Sequence, residues 1–333
     1  FGLMSTEGSW NSGYLQNQQL GGVSIGNNPL RTIAYRATPG TLRLSLPLPG
    51  LQTPGDGGFP LCCLPVQSYR FRIKLRKFED LVVSDSGIMK PNPFLTTFQY
   101  TFPTGQTQLV QPIAREALGQ PTIVLETLQA YMDPGARASL QEQRQSIPFR
   151  RPFENVFTFG PADFAALDVS SIAASQRRLD ARHPVERLLL YFRTANALDR
   201  NEYTNIINPL SPDGQFYNEL SLIIAGRARE YQYSSLVWQD IEAYAKDEID
   251  SGYTISEMRW NLGDMYAMAR PFPRVPNGSV NFTTADRPTL YFQLNNVPVQ
   301  VSSGQRKVEL RVFMEGWNVY EVERGRGRLL FAN

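Results

Sequence analysis

Apolar and polar residues alternate along much of this chain with the period of an extended strand. From Gln67 to Arg76, the side chains of Tyr69, Phe71, Ile73 and Leu75 alternate with Arg70, Arg72, Lys74 and Arg76, giving one apolar and one basic face. Val308, Leu310, Val312 and Met314 alternate with Glu309 and Arg311, the pattern of a sheet packed on one side and wet on the other. Leu42, Leu44, Leu46 and Leu48 alternate with Arg43, Ser45 and Pro47, and the proline assigns this strand to an edge or a bulge. Further strands are predicted at Thr122–Leu128, Asn155–Phe159, Val185–Arg193, Tyr217–Ala225, Thr254–Leu262, Ser279–Phe282, Thr289–Leu294 and Trp317–Glu323. Helical signals are few: Pro134–Arg144, with a proline at its start, a turn at Pro161–Leu167, and Leu236–Asp247. With 24 Pro and 25 Gly as punctuation, the pattern predicts an all-β sandwich or jelly roll with short helices in its loops.

The length of 333 residues fits two domains. The small, polar stretch Asp168–Asp180 is the natural junction, giving domains 1–175 and 176–333. Hydrophobic residues make up 42% and charged residues 19%, which is too apolar for a disordered chain. Runs such as Leu188–Phe192 suit buried strands and fall short of the roughly 18 residues that cross a bilayer. The 33 Lys and Arg against 31 Asp and Glu leave a net charge of +2, far from the field of a polyanion-binding protein. Cys62 and Cys63 are adjacent, where a disulfide would strain the backbone, and read as buried free thiols suited to a reducing compartment.

Candidate chemistry is sparse. A single histidine, His183, excludes sites that need several imidazoles, including the HExxH zinc motif. Gly22-Val-Ser-Ile-Gly26 has the spacing of a nucleophile elbow, but Asn27-Asn28-Pro29 follows where a helix is required, so it reads as a glycine-rich loop. No standard phosphate-cradling loop occurs. Asp240, Glu242, Asp247, Glu248 and Asp250 gather near the third predicted helix, the one place for a pair of glycosidase carboxylates; the commoner role of such a cluster is a solvated face. The basic row Arg70, Arg72, Lys74, Arg76 reads as protection of a sheet against wrong pairing ahead of a phosphate grip. Arg324-Gly-Arg-Gly-Arg328 reads as a hairpin turn, with Gly325 and Gly327 supplying positive φ, and His183, just before Pro184, as the site of a local structural hydrogen bond. No catalytic, cofactor-binding or metal-binding residue is assigned.

Three stretches occur in order and run to the end of the chain: Arg182-His-Pro-Val-Glu-Arg-Leu-Leu-Leu-Tyr-Phe192, Gly278-Ser-Val-Asn-Phe-Thr-Thr-Ala-Asp-Arg-Pro-Thr-Leu290 and Trp317-Asn-Val-Tyr-Glu-Val-Glu-Arg-Gly-Arg-Gly-Arg-Leu-Leu-Phe-Ala-Asn333. They resemble the first strand of the second jelly roll, a late strand pair and the C-terminal hairpin of the major capsid proteins of nucleocytoplasmic large DNA viruses, the iridovirus, phycodnavirus and asfarvirus group. Gly58-Phe-Pro-Leu-Cys-Cys-Leu-Pro-Val-Gln-Ser-Tyr-Arg70 resembles a segment of the family's first jelly roll, with Arg70 where an acidic residue is common.

The resemblance implies a double jelly roll, two eight-stranded antiparallel sandwiches, the first with its earliest strands before Phe1. It implies a non-enzymatic subunit without a cofactor, a homotrimer of pseudo-hexagonal outline that tiles an icosahedral shell in the virion and is assembled in the host cytoplasm. Its implied partners are neighbouring capsomers, penton and minor capsid proteins, with no direct nucleic acid contact and an internal membrane nearby but no spanning segment. The loops Asn196–Gln215 and Ala225–Tyr253 then fall at trimer contacts or on the outer surface, with Tyr203, Tyr231, Tyr233 and Trp238 as exposed interface anchors. The alternatives are a minor capsid or penton protein of the same virus type, and a carbohydrate-binding or glycoside-cleaving β-sandwich.

Overall fold

A computed structural model describes residues 59–68, 70, 72–77, 80, 98–101, 107–110, 123–127, 129–165, 173–203, 205–242, 255–261, 278–285 and 288–331. The chain forms two compact units, one of Phe1–Leu48, Arg72–Leu128 and Asp199–Glu202, the other of Pro49–Phe71, Gln129–Leu198 and Tyr203–Asn333. In the first unit, Phe98–Thr101 (β1) and Thr107–Val110 (β2) pair antiparallel. The strand expected at Leu42–Leu48 and the loop Gly22–Gly26 lie outside the described residues. Residues 67, 68, 70, 72–76 and 123–127, all expected in strands, belong to none. Alternation fixes which faces a segment can bury; a ladder also requires a partner for its backbone groups.

In the second unit a 3-10 turn at Leu61–Cys63 precedes a helix, Pro134–Glu142 (α1), whose N-cap Asp133 accepts a hydrogen bond from the Ala136 N–H at 3.1 Å, with Pro134 at the first position. The strands Gln145–Phe159 (β3), Ala173–Arg178 (β4), Pro184–Thr194 (β5), Tyr217–Ile224 (β6), Arg227–Ser234 (β7), Ser256–Arg259 (β8), Val280–Asn281 (β9), Thr289–Leu294 (β10), Val308–Glu323 (β11) and Arg326–Leu329 (β12) follow. Short helices Pro161–Phe164 (α2) and Ala195–Asp199 (α3) and a π-helical turn at Val237–Ile241 sit in the connections.

One sheet runs β3-β11-β5-β8 and the other β4-β10-β6-β7, all antiparallel. Setting aside the short strands β9 and β12 and counting the rest in chain order, the sheets read 1-8-3-6 and 2-7-4-5. That order is a jelly roll. It places the β3–β4, β5–β6, β7–β8 and β10–β11 connections at one end, where the Asn208 side chain donates to the Gln215 and Asn296 carbonyls and that of Asn196 to the Val299 carbonyl. The β4–β5, β6–β7 and β8–β10 connections lie at the other end.

Alternation sends Leu188, Leu190 and Phe192 of β5, Leu310, Val312 and Met314 of β11, and Leu290 and Phe292 of β10 into one core. At its centre Phe292 meets Phe159 and Phe192 edge-on, with ring centroids 5.8 and 5.6 Å apart, and Phe192 stacks on Phe216 at 5.4 Å.

The sequence predicts Val308–Met314 and Trp317–Glu323 separately, but they are one strand through Gly316. There the pairing with β5 shifts register, and a Cβ would lie 3.0 Å from the Pro184 carbonyl oxygen and 3.1 Å from the Phe153 ring, so any side chain would push these neighbours back by a few tenths of an ångström. Beyond Gly316, β3, β11 and β12 continue past β5 as a ribbon with its own small core of Cys63, Leu64 and Val322, joined by Phe59, Cys62, Leu140 and Tyr320. Cys62 and Cys63 are free thiols there. Burial, with the neighbouring Cys62, pushes the Cys63 thiol up to about 11.

The junction expected between 175 and 176 falls within β4, inside the second unit. The small side chains of Ala173 and Ser175 that suggested a linker are instead the inward face of an edge strand. Arg177 covers the Phe159 ring at 4.2 Å and bonds Asp163 at 2.8 Å, anchoring β4 to α2. The expected loop Ala225–Tyr253 begins with another strand, β7, whose residues are exposed on both faces and carry no alternation to read. We expect Phe292→Ala to destabilise the second unit by about 3–5 kcal/mol in urea unfolding followed by tryptophan fluorescence, and Val156→Thr, on an exposed face, to change it by no more than about 0.5 kcal/mol.

Candidate functional site

The three stretches with family resemblance meet at one point of the second unit. His183 takes a left-handed backbone conformation, φ +72°, rare for a residue with a β-carbon. It is held by its N–H donating to the Thr283 hydroxyl at 2.7 Å and its carbonyl accepting from the Phe282 N–H at 3.1 Å. Asn281 in turn accepts from the Thr283 N–H at 3.0 Å. The His183 ring lies between Phe153 and Phe331, with centroids 5.9 and 5.8 Å away. Asn318, fully buried, binds the backbone of Phe331 from both sides, donating to its carbonyl at 3.1 Å and accepting from its N–H at 3.3 Å. The motifs therefore form a clamp that fixes the start of β5, the segment before β10 and the residues after β12 to one another.

The hydrogen bonding expected at His183 is made by its backbone. Its Nε2 is buried without a hydrogen-bond partner. Burial, then repulsion from Arg151 and Arg182, holds its pKa below the usual histidine range, so the ring is neutral at pH 7.

Beside the clamp is an open cavity of about 1030 Å³, walled by the β4–β5 connection, residues between β9 and β10, and Leu330 and Phe331. Arg178 and Arg182 are exposed at its lining and make no ion pair within the described residues; Asp180 is the acidic group among the described lining residues. Leu330 and Phe331 are 46% and 39% exposed.

A ladder of charges crosses the outer face of the β3-β11-β5-β8 sheet. Arg187 pairs with Glu315 at 2.7 Å and Glu257 at 3.3 Å, Arg259 with Glu257 at 2.6 Å, and Arg193 with Glu309 at 2.7 Å. Arg311 reaches both Glu309 and Glu154 at 2.7 Å. Burial alone pushes the Glu309 carboxyl up, but hydrogen bonds and attraction from Arg311 and Arg193 outweigh it and hold the group below the usual carboxylate range. At the ribbon, Glu321 is shared by Arg144 and Arg328.

Of the expected interface anchors, the structure brings Tyr231 and Tyr233 together on edge strand β7, 68% and 45% exposed, with centroids 6.5 Å apart. Trp238 is not exposed as expected. It is a core residue at 4% exposure, its Nε1–H donating to the Leu220 carbonyl at 3.0 Å, because the π-helical turn folds its ring under the sheet. Tyr203 is half-buried, with the Arg193 guanidinium 5.5 Å from its ring. Asp240 and Glu242 lie in and after the π-helical turn, and Asp247, Glu248 and Asp250 lie outside the described residues. The hairpin after β11 turns through Arg324 and Gly325, at φ +51° and +79°; Gly327 is instead a strand residue packed beneath Tyr320, where any side chain would collide with the phenol ring. The clamp partners Phe153, Thr283 and Asn318 escaped sequence reasoning, although the last two lie within the recognised stretches.

No family model and no curated protein matches this chain. Solved structures do. The PBCV-1 virus capsid is similar over 61% of this chain and 55% of its own, at 14% identity and a TM-score of 0.45. A PBCV-1 protein fitted into a reconstruction of the virophage Sputnik covers the same shares at 14% identity and 0.46. The Faustovirus major capsid protein is similar over 57% of this chain and 36% of its own, at 13% and 0.41. The chain spans about half of the first two structures and about a third of the last.

A histidine whose folded pKa is depressed contributes stability that is complete above its ordinary value, near 6.5, and is lost as the pH falls through the folded value. With a single histidine in the chain, we expect urea stability of the second unit to fall between about pH 7.5 and about pH 5. In His183→Gln that dependence disappears, whatever the absolute stability of the variant.

Proposed function

We propose that this chain is a structural, non-enzymatic subunit of an icosahedral viral shell, a double jelly roll that assembles as a pseudo-hexagonal homotrimer. The observation that carries the reading is the complete eight-strand jelly-roll order of the second unit, with the three capsid-like sequence stretches locked together at one end of it. A sandwich whose inner faces are sealed by aromatic and branched residues offers assembly its edges, ends and outer faces. In this reading the first unit, mainly Phe1–Leu48 and Arg72–Leu128, supplies the other jelly roll. The subunit works in the virion after assembly in the host cytoplasm, beside neighbouring capsomers, penton and minor capsid proteins.

Edge strand β7 is the part of the trimer contact that the geometry favours. Among the described residues β7 ends its sheet, and beside the charged Arg227, Arg229 and Glu230 it carries two exposed tyrosines, the residue type that anchors interfaces. Obligate contacts of this kind bury about 2,000 Å² or more.

Light scattering on the purified chain is expected to give a trimer, and Tyr231→Asp/Tyr233→Asp is expected to raise its dissociation constant about 100-fold or more while circular dichroism stays unchanged. A pentamer would support the penton alternative. A stable monomer would count against both shell readings and favour a sugar-binding sandwich.

A further inference from the structure

The cavity beside the His183 clamp is equipped for a ligand. Arg178 and Arg182 present guanidinium groups at its lining without an ion pair among the described residues. Leu179, Phe282, Leu330 and Phe331 give it apolar walls.

A lone inorganic anion would leave the apolar walls bare, and the volume of about 1030 Å³ stands at the upper end of small-molecule sites. A nucleic acid would bring several phosphates past Asp180, which lines the same cavity. A polypeptide segment carrying both an acidic and an apolar side chain suits the two arginines and the apolar walls. We propose that this cavity docks a short segment of a partner protein that offers a carboxylate to Arg178 and Arg182 and an aromatic or branched side chain to Leu330 and Phe331. The site stands on its own geometry and holds whether or not the chain forms shells.

The test uses the full chain and fluorescence anisotropy with a panel of labelled, N-acetylated hexapeptides in which glutamates alternate with leucine and phenylalanine. At least one is expected to bind saturably, and its lysine-for-glutamate counterpart is not. Arg178→Glu/Arg182→Glu is expected to weaken binding about tenfold or more. Phe331→Ala weakens it through the apolar wall, and Arg137→Glu, on the exposed face of α1, leaves it unchanged. Circular dichroism confirms that each variant is folded. No binding across the panel, or binding indifferent to the double arginine change, overturns the proposal. So does retention on phosphatidylserine vesicles or on an oligothymidine, lost in the same double variant, in place of peptide binding. Failure here leaves the trimer measurement unaffected, so the two readings fall separately.

Discussion

Strand β11 carries the second unit. Along one edge it pairs with β3 from Val308 to Val322; along the other it pairs first with β5 and then, past Gly316, with β12. Remove its hydrogen bonds and one sheet falls apart into strands that cannot satisfy their own backbone groups. Its inward residues, Val308, Leu310, Val312 and Met314, are each at most 1% exposed, so the same strand also supplies the floor on which the opposite sheet packs. Backbone pairing and side-chain burial are enforced together, because a slip of one residue would turn this apolar row outward and the charges of Glu309 and Arg311 inward.

The outward row of that sheet shows how charges are accommodated next to such a core. Arg187, Arg193 and Arg259 are nearly as buried as the leucines behind them, and each has a carboxylate on a neighbouring strand or two residues along its own. Removing one member would strand its partner in a poorly solvated place, which makes the ladder a device for correct strand order more than a source of net stability. Cross-strand pairs of this type match only in one register.

The parts of the fold that were legible in the sequence are those where one face is wet and the other dry. Thr289–Leu294 is predicted with the bounds it has, and Val308–Met314 lies wholly within β11, because their alternating residues sort cleanly between core and surface. β4 and β7 were not legible for opposite reasons. In β4 the inward residues are alanine and serine, too small to signal burial; in β7 neither face is buried, so nothing alternates. Trp238 was misread for a related cause: the five-residue π-helical turn that buries it gives no periodic pattern of its own. The clamp at His183 was visible as three similar-looking stretches, but that they touch could not be read from positions 100 and more residues apart. Its geometry depends on a positive φ at a histidine, a conformation too uncommon outside glycine to be expected at any one position.

The long partnership of β3 with β11 has a consequence for how the protein is made. Phe159 leaves the ribosome about 150 residues before Val308, the residue it must face, and at ordinary rates of synthesis that gap is on the order of 10–30 seconds. Throughout it the backbone of β3 has no ladder partner among the described strands, and the sheet cannot close until β11 has been made. A chain of this kind has reason to meet a chaperone while still being translated, and an early stop that deletes only the final strands would leave an aggregation-prone product instead of a smaller sandwich.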